Sequence, residues 1–185
     1  DIAKAKAEII NNISKNGDII LNADDKFFSF LSNKAKENQI NITSFSLKKK
    51  SDIYLMSIKK IKNYFRLNIN VKNKTFYFDT KYSTNNFVNN ILACISIMFV
   101  LNLNLNKMRK KFVGFKIPEG RGDIKTVKKF NKRFKFIDES YNASPLSMTT
   151  AINNMNFYKD NKNHRKLVFL GDMLELGKKT KKFHK

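Results

Sequence analysis

Two apolar segments of this sequence each end in an aspartate, and the residue types around them could bind a ligand. Residues 136–138 run into Asp138, and residues 166–172 run into Asp172. A polar turn and a helix-like stretch that opens with Ser144 lie between them. α/β proteins present carboxylates and amides to ligands at the carboxyl ends of their strands. The two segments therefore predict a βαβ unit that carries both aspartates at one edge of a sheet.

The elements before this unit follow from the spacing of apolar residues. Helical spacing predicts helices over residues 2–13, 27–31, 85–105 and 108–115. Runs rich in β-branched and aromatic residues predict strands over residues 18–22, 40–45, 52–61, 64–71 and 75–78. Asp24 or Asp25 is expected to cap the second helix. Apolar and polar residues alternate over 64–71, which indicates antiparallel strands with one solvent-exposed face beside an α/β core.

The composition is that of a globular protein, since 42% of the 185 residues are hydrophobic. The single cysteine, Cys94, excludes a disulfide framework and fits a reducing compartment. The longest apolar run, residues 91–101, is too short to cross a bilayer. A buried core helix is therefore the better interpretation of that run.

The formal charge of +22 admits a second class of function, a basic module that holds nucleic acid or an anionic surface. However, Lys outnumbers Arg 32 to 5 and is spread along the chain, whereas nucleic-acid grooves favour the forked donors of arginine. Lys, Asn, Ile and Phe are all abundant, which is the bias expected of an A/T-rich genome. We interpret the charge as a solvated surface and keep the binding module as the alternative.

Five segments of the chain match sequence motifs of one enzyme family. They are residues 2–9, 20–25, 90–93, 120–122, and the pair 138–147 with 170–177. In this order they resemble the Mur ligases, the ATP-dependent enzymes that build the peptidoglycan precursor peptide. The last pair is the most specific, and it favours the member that adds the terminal dipeptide. A sibling Mur ligase or a folylpolyglutamate synthase is the alternative within the same fold, although each matches residues 138–142 less closely.

The resemblance implies the fold class and the domains. Residues 1–122 would be the later part of a Mur ligase central, ATP-binding domain, an α/β domain with a mixed sheet that includes antiparallel strands. Residues 123–185 would open a Rossmann-like C-terminal domain with its first βαβ unit. The family's phosphate loop, G-T-x-G-K-T, does not occur in these residues and is expected upstream of Asp1. The chain is therefore expected to be a fragment that is inactive alone.

The resemblance also implies the reaction. The enzyme would use ATP and Mg²⁺ to activate the carboxylate of a UDP-N-acetylmuramoyl-tripeptide as an acyl phosphate, and the amine of D-alanyl-D-alanine would then attack. The complete protein is expected to act in the cytoplasm as a monomer, without nucleic acid as a partner and without membrane insertion.

Two site residues are implied in the first part of the chain. Lys6 matches a family lysine that can carry a carbamate and so become a magnesium ligand, although an exposed helical lysine is the alternative. Asn90 matches the family asparagine that contacts adenine, because an amide can donate and accept at a purine edge. The family's usual histidine four residues earlier is replaced by Asn86. The neighbouring asparagines allow a register shift of one residue, and Asn85 or Asn86 could instead cap the helix.

The remaining site residues are implied near the second part. Arg121 matches a loop arginine that reaches ATP phosphate, and its flanking glycines allow close backbone approach. Asp138 matches the aspartate near the ATP ribose. Tyr141 and Asn142 belong to the same motif and are expected near the nucleotide.

Other polar residues in this part receive structural interpretations. Ser144 and Pro145 are expected to be the N-cap and first residue of a helix. Asp172 and Glu175 are expected either to contact substrate or to cap a turn. His164 and His184 are interpreted as surface residues without partners.

Overall fold

The computed structural model describes residues 2–155 and 165–184, apart from the side chain of Ile2. The chain divides into two compact units, Asp1–Phe115 and Lys116–Lys185. The domain division that the sequence predicts at residue 122 stays a prediction. His164 lies outside the described residues.

The first unit contains a five-stranded mixed sheet with helices. In chain order its elements are α1 (Ile2–Ala7), a 3₁₀ helix (Glu8–Asn12), β1 (Asp18–Asn22), α2 (Phe28–Glu37), β2 (Asn41–Ser46), β3 (Ile53–Ile61), β4 (Tyr64–Val71), β5 (Lys74–Thr80), α3 (Asn85–Val100) and two 3₁₀ helices (Leu105–Met108 and Lys111–Gly114). The strand order is β1-β2-β3-β4-β5. β1, β2 and β3 run parallel, and β4 and β5 add antiparallel pairings. The predicted mixed sheet is therefore confirmed.

The side chain of Asp24, in the loop after β1, forms hydrogen bonds with the end of β2 and the residue that follows it. Its two carboxylate oxygens accept hydrogen bonds from the Ser46 hydroxyl and the Leu47 amide, each at 2.7 Å. Asp25 accepts the amide of Phe27 at 2.7 Å within a turn. The prediction that either aspartate caps α2 is wrong, because the oxygens of Asp24 are engaged by the end of β2 and no side chain caps this helix.

The antiparallel strands show the alternation that the sequence predicts. In β4, Leu67, Ile69 and Val71 are buried, whereas the polar residues between them are half-buried. β4 and β5 are joined by the two residues Lys72 and Asn73, which both have positive φ, at 44° and 69°. This is the backbone of the tight hairpin turns whose twist matches that of the flanking strands.

Helix α3 covers the apolar face of this sheet. Its buried residues include Val88, Leu92 and Ile95, which belong to one core cluster with Leu67 and Phe78. The predicted core helix is thus confirmed, and burial of these side chains supplies most of the driving force that holds α3 on the sheet. None of the helices in the described residues has both the length and the apolar character needed to cross a membrane.

Helix α3 ends earlier than the sequence predicts. Asn102 takes a positive φ of 53° directly after the C-cap residue. The amide of Leu103 then bonds the carbonyl of Met98 at 2.8 Å. These features form a Schellman motif, in which the left-handed residue stops the helix. The helix predicted over residues 108–115 forms as two 3₁₀ turns instead.

The second unit begins with a β-hairpin. Strands β6 (Asp123–Lys129) and β7 (Lys132–Asp138) pair antiparallel, and Phe130 and Asn131 form the two-residue tip with positive φ. The sequence pattern did not predict β6, because lysines occupy three of its seven positions and its two apolar residues, Ile124 and Val127, do not alternate strictly. Helix α4 (Pro145–Met155) follows, and later come a 3₁₀ turn (Gly177–Lys179) and α5 (Thr180–Phe183).

The start of α4 is fixed as predicted. The Ser144 hydroxyl accepts the amide of Ser147 at 3.2 Å, and the Ser147 hydroxyl accepts the amide of Ser144 at 2.8 Å. This reciprocal arrangement is a capping box with serine in the usual Glu position. Pro145 is the first helical residue, where its missing N–H is harmless.

The second strand of the predicted βαβ unit does not form. Residues 166–170 lie outside any strand, and Leu167 and Phe169 are 72% and 91% exposed. In the described residues β7 pairs only with β6, and residues 167–170 belong to neither of the two sheets. A strand is stable only when its backbone groups are paired, and apolar composition alone does not provide that pairing. The first strand and the helix of the unit are present.

Candidate active site

A tight turn in the second unit carries Arg121. The Arg121 amide bonds the carbonyl of Pro118 at 3.2 Å, and Gly120 has φ of 73° at the third position of this turn. A positive φ there is what a type II turn requires, which explains the glycine. The Gly120 amide is bonded to the Asp123 carboxylate at 3.1 Å. We call residues 120–122 the GRG turn.

The GRG turn is hydrogen-bonded to the loop that follows β7, residues 138–142, which we call the acidic loop. The amide of Gly122 bonds the carbonyl of Asp138 at 2.6 Å, and the amide of Tyr141 bonds the carbonyl of Gly120 at 3.0 Å. A Cβ atom on Gly120 would lie 3.0 Å from the Tyr141 nitrogen. The glycine is therefore needed both for its φ and for this close approach.

The side chains of Arg121 and Tyr141 stack. The guanidinium carbon lies 3.9 Å from the ring centroid, which is close contact for a cation–π pair. No hydrogen bond or ion pair to any described residue engages the Arg121 guanidinium. Its N–H donors therefore stay available for an anion, and Arg121 is exposed to receive one.

Asp138 is an ionised acceptor at the same corner. One of its carboxylate oxygens accepts the amide of Ser140 at 3.0 Å. Hydrogen bonding from Ser140 lowers the pKa of the Asp138 carboxyl, and the positive charge of Lys125 lowers it further. A carboxylate of this kind suits the hydroxyls of a sugar. Arg121, Asp138 and Tyr141 are thus brought together, and Asn142 lies exposed at the end of the acidic loop.

Sequence reasoning missed the charged residues that support this corner. Lys125 lies 2.8 Å from Glu119 and 3.3 Å from Asp123, and these two partners raise its pKa, Glu119 first. Partial burial raises the pKa of the Glu139 carboxyl, and the charges of Asp138 and Asp123 add to the rise. The aspartate directly after the GRG turn was the available signal, because Asp commonly bonds turn amides.

Asp172 makes its contacts elsewhere in this unit. Its carboxylate lies 3.8 Å from His184 Nε2, and none of its described contacts involves Arg121 or Asp138. The prediction that His184 has no partner is wrong. Its Nε2 accepts the amide of Met173 at 2.8 Å, and its Nδ1 lies 2.9 Å from the Thr180 carbonyl. These contacts assign the ring as the neutral Nδ1–H tautomer.

The two site residues predicted in the first unit lie on helices. Lys6 is exposed on α1. Asn90 is exposed on α3, whereas the neighbouring Asn89 has a buried side-chain oxygen that no described residue bonds. The residue before α3 is Thr84, so neither of the asparagines proposed as N-caps takes that position.

The described residues fit nucleotide better than they fit a metal. Arg121 offers phosphate N–H donors that no residue in the described part of the chain engages, and Asp138 offers an ionised acceptor. Within residues 2–155 and 165–184 no three His, Cys, Asp or Glu side chains cluster closely enough to hold a metal ion. These residues do not by themselves form a magnesium site.

The fold and this corner define an α/β protein with a mixed sheet and a candidate anion-binding turn. Residues 1–98 match the Mur ligase middle domain, which covers more than half of the chain. The chain belongs to the Mur ligase family.

Similar proteins agree with this assignment. The chain is 30% identical over its whole length to UDP-N-acetylmuramoyl-tripeptide–D-alanyl-D-alanine ligase of Rickettsia prowazekii, of which it covers 40%. The structure matches MurF from Acinetobacter baumannii with a TM-score of 0.80 at 24% identity, over 99% of this chain and 38% of that one. It matches a Thermotoga maritima MurF ligase in complex with ADP with a TM-score of 0.74 at 22% identity, over 99% and 40%. The chain spans about two fifths of the length of the curated relatives it matches.

Proposed function

We propose that this chain is part of an ATP-dependent ligase that adds D-alanyl-D-alanine to a UDP-N-acetylmuramoyl-tripeptide in peptidoglycan precursor synthesis. Membership of the Mur ligase family and the activity named for its relatives support the proposal. The structural observation that carries it is the pairing of Arg121, whose donors no described residue engages, with the ionised Asp138 on two hydrogen-bonded loops.

The proposed reaction has two steps. The terminal carboxylate of the tripeptide attacks the γ-phosphorus of ATP, so that the bond to ADP breaks and an acyl phosphate forms. The amine of the dipeptide then attacks the acyl carbon, an amide forms, and phosphate leaves. Negative charge develops on phosphoryl oxygens in the first step, and a positioned cation stabilises it.

The residues of the second unit take specific roles in this proposal. Arg121 donates hydrogen bonds to a phosphate oxygen, because a guanidinium matches phosphate geometry. Asp138 accepts a hydrogen bond from a ribose hydroxyl. Tyr141 and Asn142 adjoin the nucleotide from the acidic loop. The acidic loop holds these groups in place through its bonds to the GRG turn.

The residues of the first unit take the remaining roles. Asn90 contacts the adenine edge from the exposed face of α3. Lys6 carries a carbamate in this proposal, which would supply a carboxylate-like ligand for Mg²⁺. Native mass spectrometry in bicarbonate buffer checks this: Lys6 should gain the mass of one CO₂, and a Lys6→Gln variant should not. We propose that the complete enzyme is a cytoplasmic monomer that neither inserts into membranes nor uses nucleic acid as a partner.

The test is ligation by the complete protein that contains these residues. ADP and phosphate should form only when ATP, tripeptide and dipeptide are all present. Arg121→Ala should lower kcat by roughly 100-fold or more, as loss of one positioned charge-stabilising group does. The matched control is Arg133→Ala, which removes an exposed arginine from β7. Absence of ATP-dependent ligation would overturn the proposal, and unchanged turnover in Arg121→Ala would remove this residue from the site.

A further inference from the structure

In the part of the chain that the structure describes, three arginines lie over tyrosine rings. Arg66 and Arg109 lie on Tyr77, at 4.4 and 4.3 Å from its centroid, and Arg121 lies on Tyr141 at 3.9 Å. The chain has 32 lysines but only 5 arginines. Stacking needs the planar guanidinium, which lysine lacks. At these positions the planar shape of the guanidinium therefore matters for packing on the ring, in addition to its positive charge.

The three arginines differ in the hydrogen-bond partners of their guanidinium N–H groups. The Arg66 fork is engaged by the two carboxylate oxygens of Asp79, at 2.8 and 3.0 Å. Arg109 donates to the Tyr77 hydroxyl at 3.3 Å. The edge of Arg121 bonds none of the described residues. The guanidinium of Arg121 therefore lies over the ring of Tyr141, and no described residue bonds its N–H donors.

Tyr141 is itself fixed in place. Its amide bonds the Gly120 carbonyl at 3.0 Å, and its Cβ lies against the same glycine. The ring and the guanidinium therefore belong to one bonded substructure of the second unit. An arginine side chain loses much of its rotamer freedom when it is ordered. A side chain ordered before binding loses less of this freedom on meeting its ligand.

We propose that Tyr141 is a positioning residue, whose ring orders Arg121 so that its donors face a nucleotide phosphate. This inference rests on the proposed function and deepens it. It assigns the ordering of Arg121 to the aromatic ring of Tyr141 and not to its hydroxyl group. An exposed cation–π pair is worth about 0.5 to 1 kcal/mol. Loss of the ring should therefore weaken nucleotide binding about two- to fivefold.

The test compares two variants of the complete protein. Tyr141→Leu removes the ring, and Tyr141→Phe keeps it. In the ligand-free protein, NMR relaxation of the Arg121 Nε–H group should show increased motion in Tyr141→Leu and wild-type order in Tyr141→Phe. Titration calorimetry with ADP should show the two- to fivefold weaker binding in Tyr141→Leu alone.

Two controls separate positioning from general damage. Phe130→Leu removes a ring that lies 5.2 Å below the Lys129 ammonium at the opposite end of the same hairpin, and it should leave both readouts unchanged. In an Arg121→Lys background, Tyr141→Leu should weaken ADP binding less than it does in the wild type, because lysine has no plane to stack. An equal loss in both backgrounds would mean a merely structural role and would overturn the inference.

The remaining outcomes distinguish the inference from the proposed function. If the wild type binds ADP and Tyr141→Leu keeps both the order of Arg121 and the affinity, the inference is overturned and the proposed function stands. If the wild type does not bind ADP, the proposed function fails, and the phosphate-facing role of the stack fails with it.

Discussion

The guanidinium of Arg121 packs 3.9 Å from the ring of Tyr141, although twenty positions separate the two residues in the sequence. The β6–β7 hairpin brings them together, because Asp123 pairs with Asp138 at its open end. The segments just before and just after the hairpin therefore meet. This register places a cation and a carboxylate at one corner of the second unit.

Gly120→Ala should damage this corner. The substitution forces a side chain onto a backbone with φ of 73° and places its Cβ 3.0 Å from the Tyr141 nitrogen, a backbone atom that cannot rotate away. Such strain costs about 1–3 kcal/mol. We expect reduced ligation by the complete protein and a lower urea midpoint for the second unit.

Gly114→Ala is the matched control for this prediction. Nothing lies within 4 Å of a Cβ at Gly114, and its φ is not positive. The change should leave both measurements near wild type. Equal effects of the two substitutions would contradict the account of the GRG turn.

Phe78→Ala should destabilise the first unit. The Phe78 ring is fully buried and meets the ring of Phe112 edge to face, with centroids 5.8 Å apart. Removing a buried phenyl ring costs about 3–5 kcal/mol through lost burial and the cavity left behind. Urea unfolding followed by circular dichroism measures the loss. Phe30→Ala, at a ring that is 42% exposed, should lose less than half as much.

Acid should remove a stabilising contribution of Asp52. Burial alone would raise the pKa of its carboxyl, but hydrogen bonds from Lys72 and Ser44 outweigh this and lower the pKa below the ordinary value of 3.8. A lowered folded-state pKa means that the contribution is present above the unfolded pKa and is lost as pH falls through the folded value. Asp52→Asn should therefore flatten the acid limb of the stability curve below pH 3.8.

Glu139 should show the opposite sign in the same experiment. Its pKa is raised above the ordinary value of 4.5, first by burial and then by Asp138 and Asp123. Its protonated form is favoured in the folded state, so its contribution is present at low pH and lost as pH rises through the folded pKa. Glu139→Gln should therefore abolish this fall in folding stability as the pH rises. Carboxyl-carbon NMR titration measures both pKa values directly, and shifts of the same sign would contradict this prediction.

Asn90→Ala should weaken ADP binding by the complete protein, whereas Asn89→Ala should not. Asn90 is exposed on α3, and one amide hydrogen bond is worth about 0.5–1.5 kcal/mol, or two- to tenfold in affinity. Asn89 already has a buried oxygen without a described partner, so its removal breaks no bond seen here. Calorimetric titration of the two variants decides between them. The reverse result would move the adenine contact by one residue.

Sequence patterns predicted the first unit well, because its signals are local. The bounds of β1 and β4 agree with the predicted residues 18–22 and 64–71, since apolar runs or alternation define each strand. The helix caps were harder to predict, because Asp24 bonds Ser46 across the sheet instead of its own helix. Tertiary contacts overrode the local preference there.

The second unit was predicted less well, for physical reasons. β6 carries only two apolar residues, Ile124 and Val127, and its turn at Phe130 and Asn131 lacks the glycine that usually marks such a hairpin. Arg121 was identified through the resemblance to the Mur ligases, which have an arginine in the matching glycine-flanked loop. Its stacking on Tyr141 could not be predicted, because that contact depends on the register of a hairpin that the sequence pattern did not reveal.

The most direct test of the account is a crystal structure of the complete protein with ADP bound. We expect the Asp138 carboxylate within about 3 Å of a ribose hydroxyl, and the Arg121 guanidinium, still stacked on Tyr141, within about 3 Å of a phosphate oxygen or of a bound inorganic phosphate. Nucleotide bound elsewhere, with neither side chain in contact with it, would contradict the account.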